Sequence, residues 1–174
     1  MEVPDYRAQI RRFVHGYVGA HQDAILRAGD VFDFYARLLM DERVSGDSRS
    51  LVASVLAYFV VPDDVLPEAE LGPYGMLDDL HLAAHVYRML RRQLPREVID
   101  DAWIEDDDVE HVMDVVYSES RAALGKLRKD VLRGGGAELI QSQLRNVGHL
   151  RVGGLCVQFH GLGTFSSSPG RGRR

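Results

Sequence analysis

Apolar positions along the first 130 residues recur with the period of an α-helix. From Pro4 to about Ala28, Tyr6, Ile10, Phe13, Val14, Tyr17, Val18 and Ile25 follow the spacing i, i+4, i+7, i+8 and predict a first helix. Gly29-Asp30 is expected to end it and cap a second, with Val31, Phe34, Tyr35, Leu38 and Leu39 facing inward. Asp47 or Ser48 is placed to cap a third, which carries Leu51, Val52, Val55, Leu56 and Phe59 until Pro62 stops it. A loop with Pro62, Pro67 and Pro73 leads to a fourth helix, about Met76 to Gln93. Pro95 suits the first position of a short helix through about Trp103. The acids Glu105 to Asp108 then open a long helix from Val109 through Val131. A last short helix is placed from Ala137 to about Asn146. No stretch of this body alternates with period two, so the expected fold class is all-α. It is read as a compact bundle of about six or seven helices around a central apolar hairpin.

Composition alters this picture at the C-terminal end. All 26 acidic residues lie within 1–138, whereas the following segment has five arginines and no acid. Ten of the 17 glycines fall at or after Gly134. These shifts divide the chain into a helical domain, 1–146, and a Gly-rich basic tail, 147–174, expected to be flexible. Within the tail, Val152 to Phe159 is long enough for one short strand. A net charge of −5 over 174 residues gives no nucleic-acid signal apart from that tail. One cysteine, Cys156, excludes an internal disulfide framework. The longest nearly apolar run, Leu51 to Val61, falls well short of the ~20 residues that span a bilayer. With no secretory pattern at the start, the expected location is cytoplasmic. Arginine outnumbers lysine 19 to 2, which hints at a GC-rich bacterial genome.

The chemistry concentrates between the third and fourth helices. Six acids (Asp63, Asp64, Glu68, Glu70, Asp78, Asp79) lie between two apolar segments, where a carboxylate needs a hydrogen-bond partner, a cap or a cation. The ordered set Tyr58, Pro62, Asp64, Pro67, then Gly75, Asp78 and Asp79, resembles the YkvA-like family, domain of unknown function 1232, over about residues 50–92. Glu68 stands where Asp is more usual in that family, and Ala69–Pro73 is a longer insert than in many members. The resemblance implies a helical hairpin with a rigid acidic turn and no agreed activity; some relatives sit in membrane-bound proteins, including a ubiquitin ligase.

On a helical wheel, Asp78, His81, His85, Arg88 and Arg92 of the fourth helix share a stripe about 80° wide. Asp79 points to the opposite, apolar side. The plainest expectation makes the stripe a water-facing edge, with Asp78 stabilising the helix start. One alternative is a divalent metal site with Asp78, His81 and His85 as ligands and Asp63, Asp64 or Glu68 adding an oxygen from the loop; another is a partner-binding surface. Asp63, Asp64 and Asp79 are read as structural, satisfying backbone N–H groups. His21 is expected to be a buried, hydrogen-bonded histidine, and Ser120 a small residue permitting close helix contact. His15 and His111 suggest nothing, and Cys156 with His160 makes poor metal chemistry in a Gly-rich segment. No nucleophile elbow, P-loop or dinucleotide fingerprint is present.

The leading expectation is an interaction or regulatory module that engages a protein partner or further copies of itself, with no catalysis and no cofactor. A metal-dependent hydrolase on the Asp78/His81/His85 seam is the first alternative. Peripheral membrane contact through the apolar hairpin is the second.

Overall fold

A computed structural model describes residues 5–60 and 65–134, together with strand residues 149–152, 155–158 and 167–168. The helical body is all-α, with seven helices of seven residues or more among the described residues. The expected helix 137–146 and the motif positions Pro62, Asp63 and Asp64 lie outside them.

The first expected helix is two. α1 (Tyr6–Val14) starts on Asp5, whose carboxylate accepts the Ala8 N–H at 3.3 Å. It ends before Gly16, which takes φ +72, and the chain reverses through His21 at φ +59 into the short α2 (Gln22–Ile25). A left-handed residue cannot continue a right-handed helix, so the apolar period ran on through a turn that it could not reveal.

Gly29 was expected to separate two helices and instead lies inside α3 (Ala28–Met40), buried. Its value is close approach: a Cβ there would come within 2.4 Å of Arg11 Cγ, whose side chain crosses it to reach Asp30 at 2.9 Å. Asp33, nearly fully buried, joins the same crossing through Arg7 and Arg37, both at 3.1 Å.

α4 (Gly46–Tyr58) begins one or two residues before the expected caps, with Ser45 in the capping position. Ser48 is buried and its hydroxyl donates to Gln93 at 2.9 Å. A short helix α5 (Glu68–Leu71) and a 3-10 turn (Gly72–Gly75) lead into α6 (Met76–Gln93), whose bounds match the expectation. α7 (Arg96–Ala102) follows, with Pro95 one position earlier than expected, as its N-cap. α8 (Val109–Leu124) is capped by Asp108, which accepts the Glu110 N–H at 3.2 Å. The long helix expected through Val131 stops at Gly125, φ +53, and resumes after a 3-10 turn as α9 (Arg128–Gly134). Again a glycine in the left-handed region redirects the chain where the apolar spacing alone carries on.

α6 is the hub. It packs against α2, α3, α4, α8 and α9, most extensively against α8. Phe34 sets its ring edge-on against Tyr35, Tyr87 and Trp103, and Tyr35 Oη donates to the Ala83 carbonyl at 2.6 Å, tying α3 to α6. In the C-terminal segment β1 (His149–Val152), β2 (Leu155–Gln158) and β3 (Ser167–Ser168) form an antiparallel sheet in that order. The single strand expected over 152–159 is instead divided: Val152 ends β1 and pairs with Leu155 at the start of β2. Among the described residues no helix is long and apolar enough to cross a membrane.

Candidate functional site

Enclosure of α6 by five neighbours changes the meaning of its polar stripe. Asp78 and His81 were expected at a wet edge, yet Asp78 is 0% and His81 1% exposed. The wet-edge expectation fails for these two because the first half of the stripe falls beneath packed neighbours, whereas Arg88 and Arg92 are exposed as expected. Each polar group must then find a protein partner.

Asp78 finds four. Its Oδ2 accepts the Tyr58 hydroxyl at 3.1 Å and the backbone N–H groups of Val65 and Leu66, both at 3.0 Å. Its Oδ1 accepts the Asp79 N–H at 3.1 Å. The carboxylate thus fastens the turn after α4 onto the first turn of α6, closing the hairpin as a latch. Burial, with a smaller push from Glu68, raises its pKa from 3.8 to about 6 against the lowering effect of those donors. Asp79 is fully buried on the other side of the helix, as its angle predicts. Gly75 completes the latch: a Cβ there would lie 2.8 Å from both Glu68 Cα and Leu66 O.

His81 faces α8. Its Nδ1 lies 3.1 Å from Ser120 Oγ, and Ser120 Oγ donates to the Tyr117 carbonyl at 3.3 Å. The tautomer that satisfies both bonds has Nδ1–H donating to Ser120, leaving a lone pair on Nε2. Ser120, expected to matter for its size, thus also holds the imidazole. The His81 ring stacks on Tyr117 (5.5 Å between centroids, 18° between planes), and Arg88 places its guanidinium 4.5 Å over the same Tyr117 ring. Burial chiefly, then His85, Arg128 and Arg121, lowers His81 from 6.5 to about 4. His85 is half-buried and lowered by burial and by Arg88. Both imidazoles are neutral at pH 7.

Two of the three residues read together as a metal seam are therefore turned to different tasks: Asp78 to the turn and His81 to α8. Glu68 opens α5 near Asp78, and Asp64 lies outside the described residues. Among the described residues no group of three His, Cys, Asp or Glu side chains is arranged to hold a metal ion. His21, half-buried in its left-handed turn, bonds Glu119 through Nδ1, as expected for a satisfied histidine, although it stands outside any helix. A cavity of about 500 Å³ beside Asp23, Arg27, Asp30, Asp107 and His111 is occupied at its rim by the ion pairs of Arg27 with Asp30 and Asp107.

The sequence reading missed Tyr117, Arg121 and Arg128. Tyr117 and Arg121 are four apart on α8, a spacing that could have flagged them; Arg128 is brought to the seam only by the break at Gly125.

Opposed pKa shifts give a signed prediction. In the unfolded chain His81 protonates near 6.5 and in the fold near 4, so the unfolded state binds more protons between those values. Its contribution to stability therefore rises with pH across that window. Asp78 is the reverse: the fold binds more protons between 3.8 and about 6, and its contribution falls as pH rises. His85 adds to the His81 slope. Urea unfolding over this window should show a rising slope in Asp78→Asn and a falling one in His81→Asn/His85→Gln. Parallel slopes in the two variants would contradict the assignment.

Comparison with known proteins agrees with the hairpin. Residues 48–84 match the family model described as "Protein of unknown function (DUF1232)", so α4, the latched turn and the first half of α6 carry the signature that the motif resembled. An uncharacterized protein, ORF9, of Methanothermobacter thermautotrophicus is 27% identical over 124 residues, covering 71% of this chain and 85% of the relative. No solved structure matches the chain.

Proposed function

We propose, taking the DUF1232 hairpin as scaffold, that this chain is a cytoplasmic, non-catalytic interaction module that recognises an anionic partner through the outer rim of the α6–α8–α9 seam. One observation carries the reading. The polar groups of the hairpin are spent on internal bonds, whereas Arg88, set over Tyr117, and Arg121 and Arg128, on α8 and α9, have no carboxylate within ion-pair distance among the described residues. Eight of the fourteen arginines among residues 5–134 pair with acids; of the six that do not, three lie at this seam, the others being Arg12, Arg49 and Arg92. The basic tail, 147–174, has the same charge preference and would supply a second contact to an acidic partner.

The binding reading predicts that immobilised full-length protein retains a partner at low salt and releases it as salt rises. Retention should be lost in Arg88→Glu/Arg121→Glu/Arg128→Glu and preserved in Arg12→Glu on α1. A partner indifferent to the seam charges would overturn the assignment, as would hydrolytic turnover abolished by His81→Ala/His85→Ala.

A further inference from the structure

We infer that the cleft between α2 and the start of α8 is a binding site for a small aliphatic polyamine, a function separate from the anionic-partner reading above. The cavity of about 500 Å³ falls within the ~300–1,000 Å³ usual for small-molecule sites. Asp23, Leu26 and Asp30 line one side of it, and Asp107, Val112 and Val115 the other. Both walls are held in place. His21, at the head of α2, bonds Glu119 of α8, and Trp103 Nε1 donates to the Asp107 carbonyl at 2.7 Å. Arg27 ties one wall to the other by pairing with Asp107 and, at 3.4 Å, with Asp30. A site whose walls are fixed beforehand spares a ligand part of the ordering cost of binding.

Charge then selects the ligand class. Arg11 bonds Asp30 and Glu105 at 2.9 and 3.1 Å, Arg27 bonds Asp30 and Asp107, and Asp23 has no ion pair among the described residues. Two guanidiniums thus face four carboxylates, which leaves two negative charges in surplus. Burial, and then Glu105, raises the Asp30 pKa above its ordinary value in spite of Arg11 and Arg27, so the cavity wall is short of positive charge. A metal ion is the wrong shape for the deficit: among the described residues no three His, Cys, Asp or Glu side chains are arranged to hold one. The carboxylates stand apart, and a ligand that spreads its charge matches them. A polyamine separates its ammonium groups by methylenes, which would lie on Leu26, Val112 and Val115 while the ammonium groups donate to the aspartates. Leu26, 39% exposed, is apolar surface that such a stem would cover. A lysine side chain of a partner brings the same stem but one charge, and leaves half the surplus unmet.

The test is NMR of the full chain at constant ionic strength, observing the ring of His111, which also lines the cavity, and the methyls of Val112 and Val115. Putrescine, a four-carbon diamine, is expected to shift them saturably and to bind about tenfold more tightly than butylamine, which has the same stem and one charge. Magnesium chloride, whose cation matches the diamine in charge but has no stem, should also bind about tenfold more weakly. The diamine response should vanish in Asp23→Asn/Asp107→Asn at unchanged melting temperature and persist in Asp47→Asn on α4. If the double variant fails to fold, Asp23→Asn alone, at an exposed position, is expected to weaken binding severalfold. Equal affinities for the diamine, butylamine and magnesium, or a response that survives the aspartate substitutions, would overturn the inference. Shifts evoked by a lysine-rich peptide and not by the diamine would also overturn it, and would assign the cleft to a basic protein partner.

Discussion

Asp78→Ala should lower the unfolding free energy by about 3 kcal/mol, measured as a shift of the urea midpoint at constant m-value. The carboxylate accepts from the Tyr58 hydroxyl and from two N–H groups of the turn, and these three bonds are lost together. Each unsatisfied buried group costs roughly 1–3 kcal/mol, and the turn, being only partly buried, recovers some of this by reaching water. Asp78→Asn retains one oxygen as acceptor and should cost less, about half. Amide exchange at Val65 and Leu66 should accelerate in both variants, more so in alanine. A loss below about 0.5 kcal/mol for Asp78→Ala would remove the latch from the account of this hairpin.

The second large effect concerns Gly75, because packing and helix propensity predict opposite signs there. Its φ of −58 is one any residue adopts, so propensity alone would have Gly75→Ala stabilise by up to about 1 kcal/mol. Packing says otherwise. The new methyl would meet backbone atoms, Glu68 Cα and Leu66 O, both at 2.8 Å, and the turn can yield only by loosening its N–H bonds to Asp78. A loss of about 2–3 kcal/mol is expected from the same urea titration. The double variant with Asp78→Ala should cost less than the sum of the two, because both act by releasing one turn. A gain in stability from Gly75→Ala would show that the turn stands farther from α6 than this packing requires.

These two positions also show what a family motif can carry. Gly75 and Asp78 are legible in the sequence as part of an ordered Pro, Asp, Pro, Gly, Asp-Asp series. Their physical reason is not, since neither a 2.8 Å approach nor a carboxylate shared by three donors from α4 and the turn appears in residue types.

Local pattern determined the helical class, the order of the helices and the bounds of α6, because a run of apolar residues at helical spacing is a property of one segment. It also placed Asp79 on the apolar side of α6 and Asp108 at the start of α8. It failed where the chain changes direction without changing its apolar period, at Gly16 and at Gly125, and where a glycine serves close approach inside a helix, at Gly29. The candidate site divides in the same way. A helical wheel correctly put Asp78, His81, His85 and Arg88 on one stripe, but a wheel describes one helix in isolation. Whether a stripe meets water or protein depends on how many neighbours surround the helix, and five around α6 buried half of this one. Only the packed structure could bring Tyr117, Arg121 and Arg128 to that stripe, because electrostatic neighbours are set by distance through space, and the break at Gly125 turns α9 back against α6.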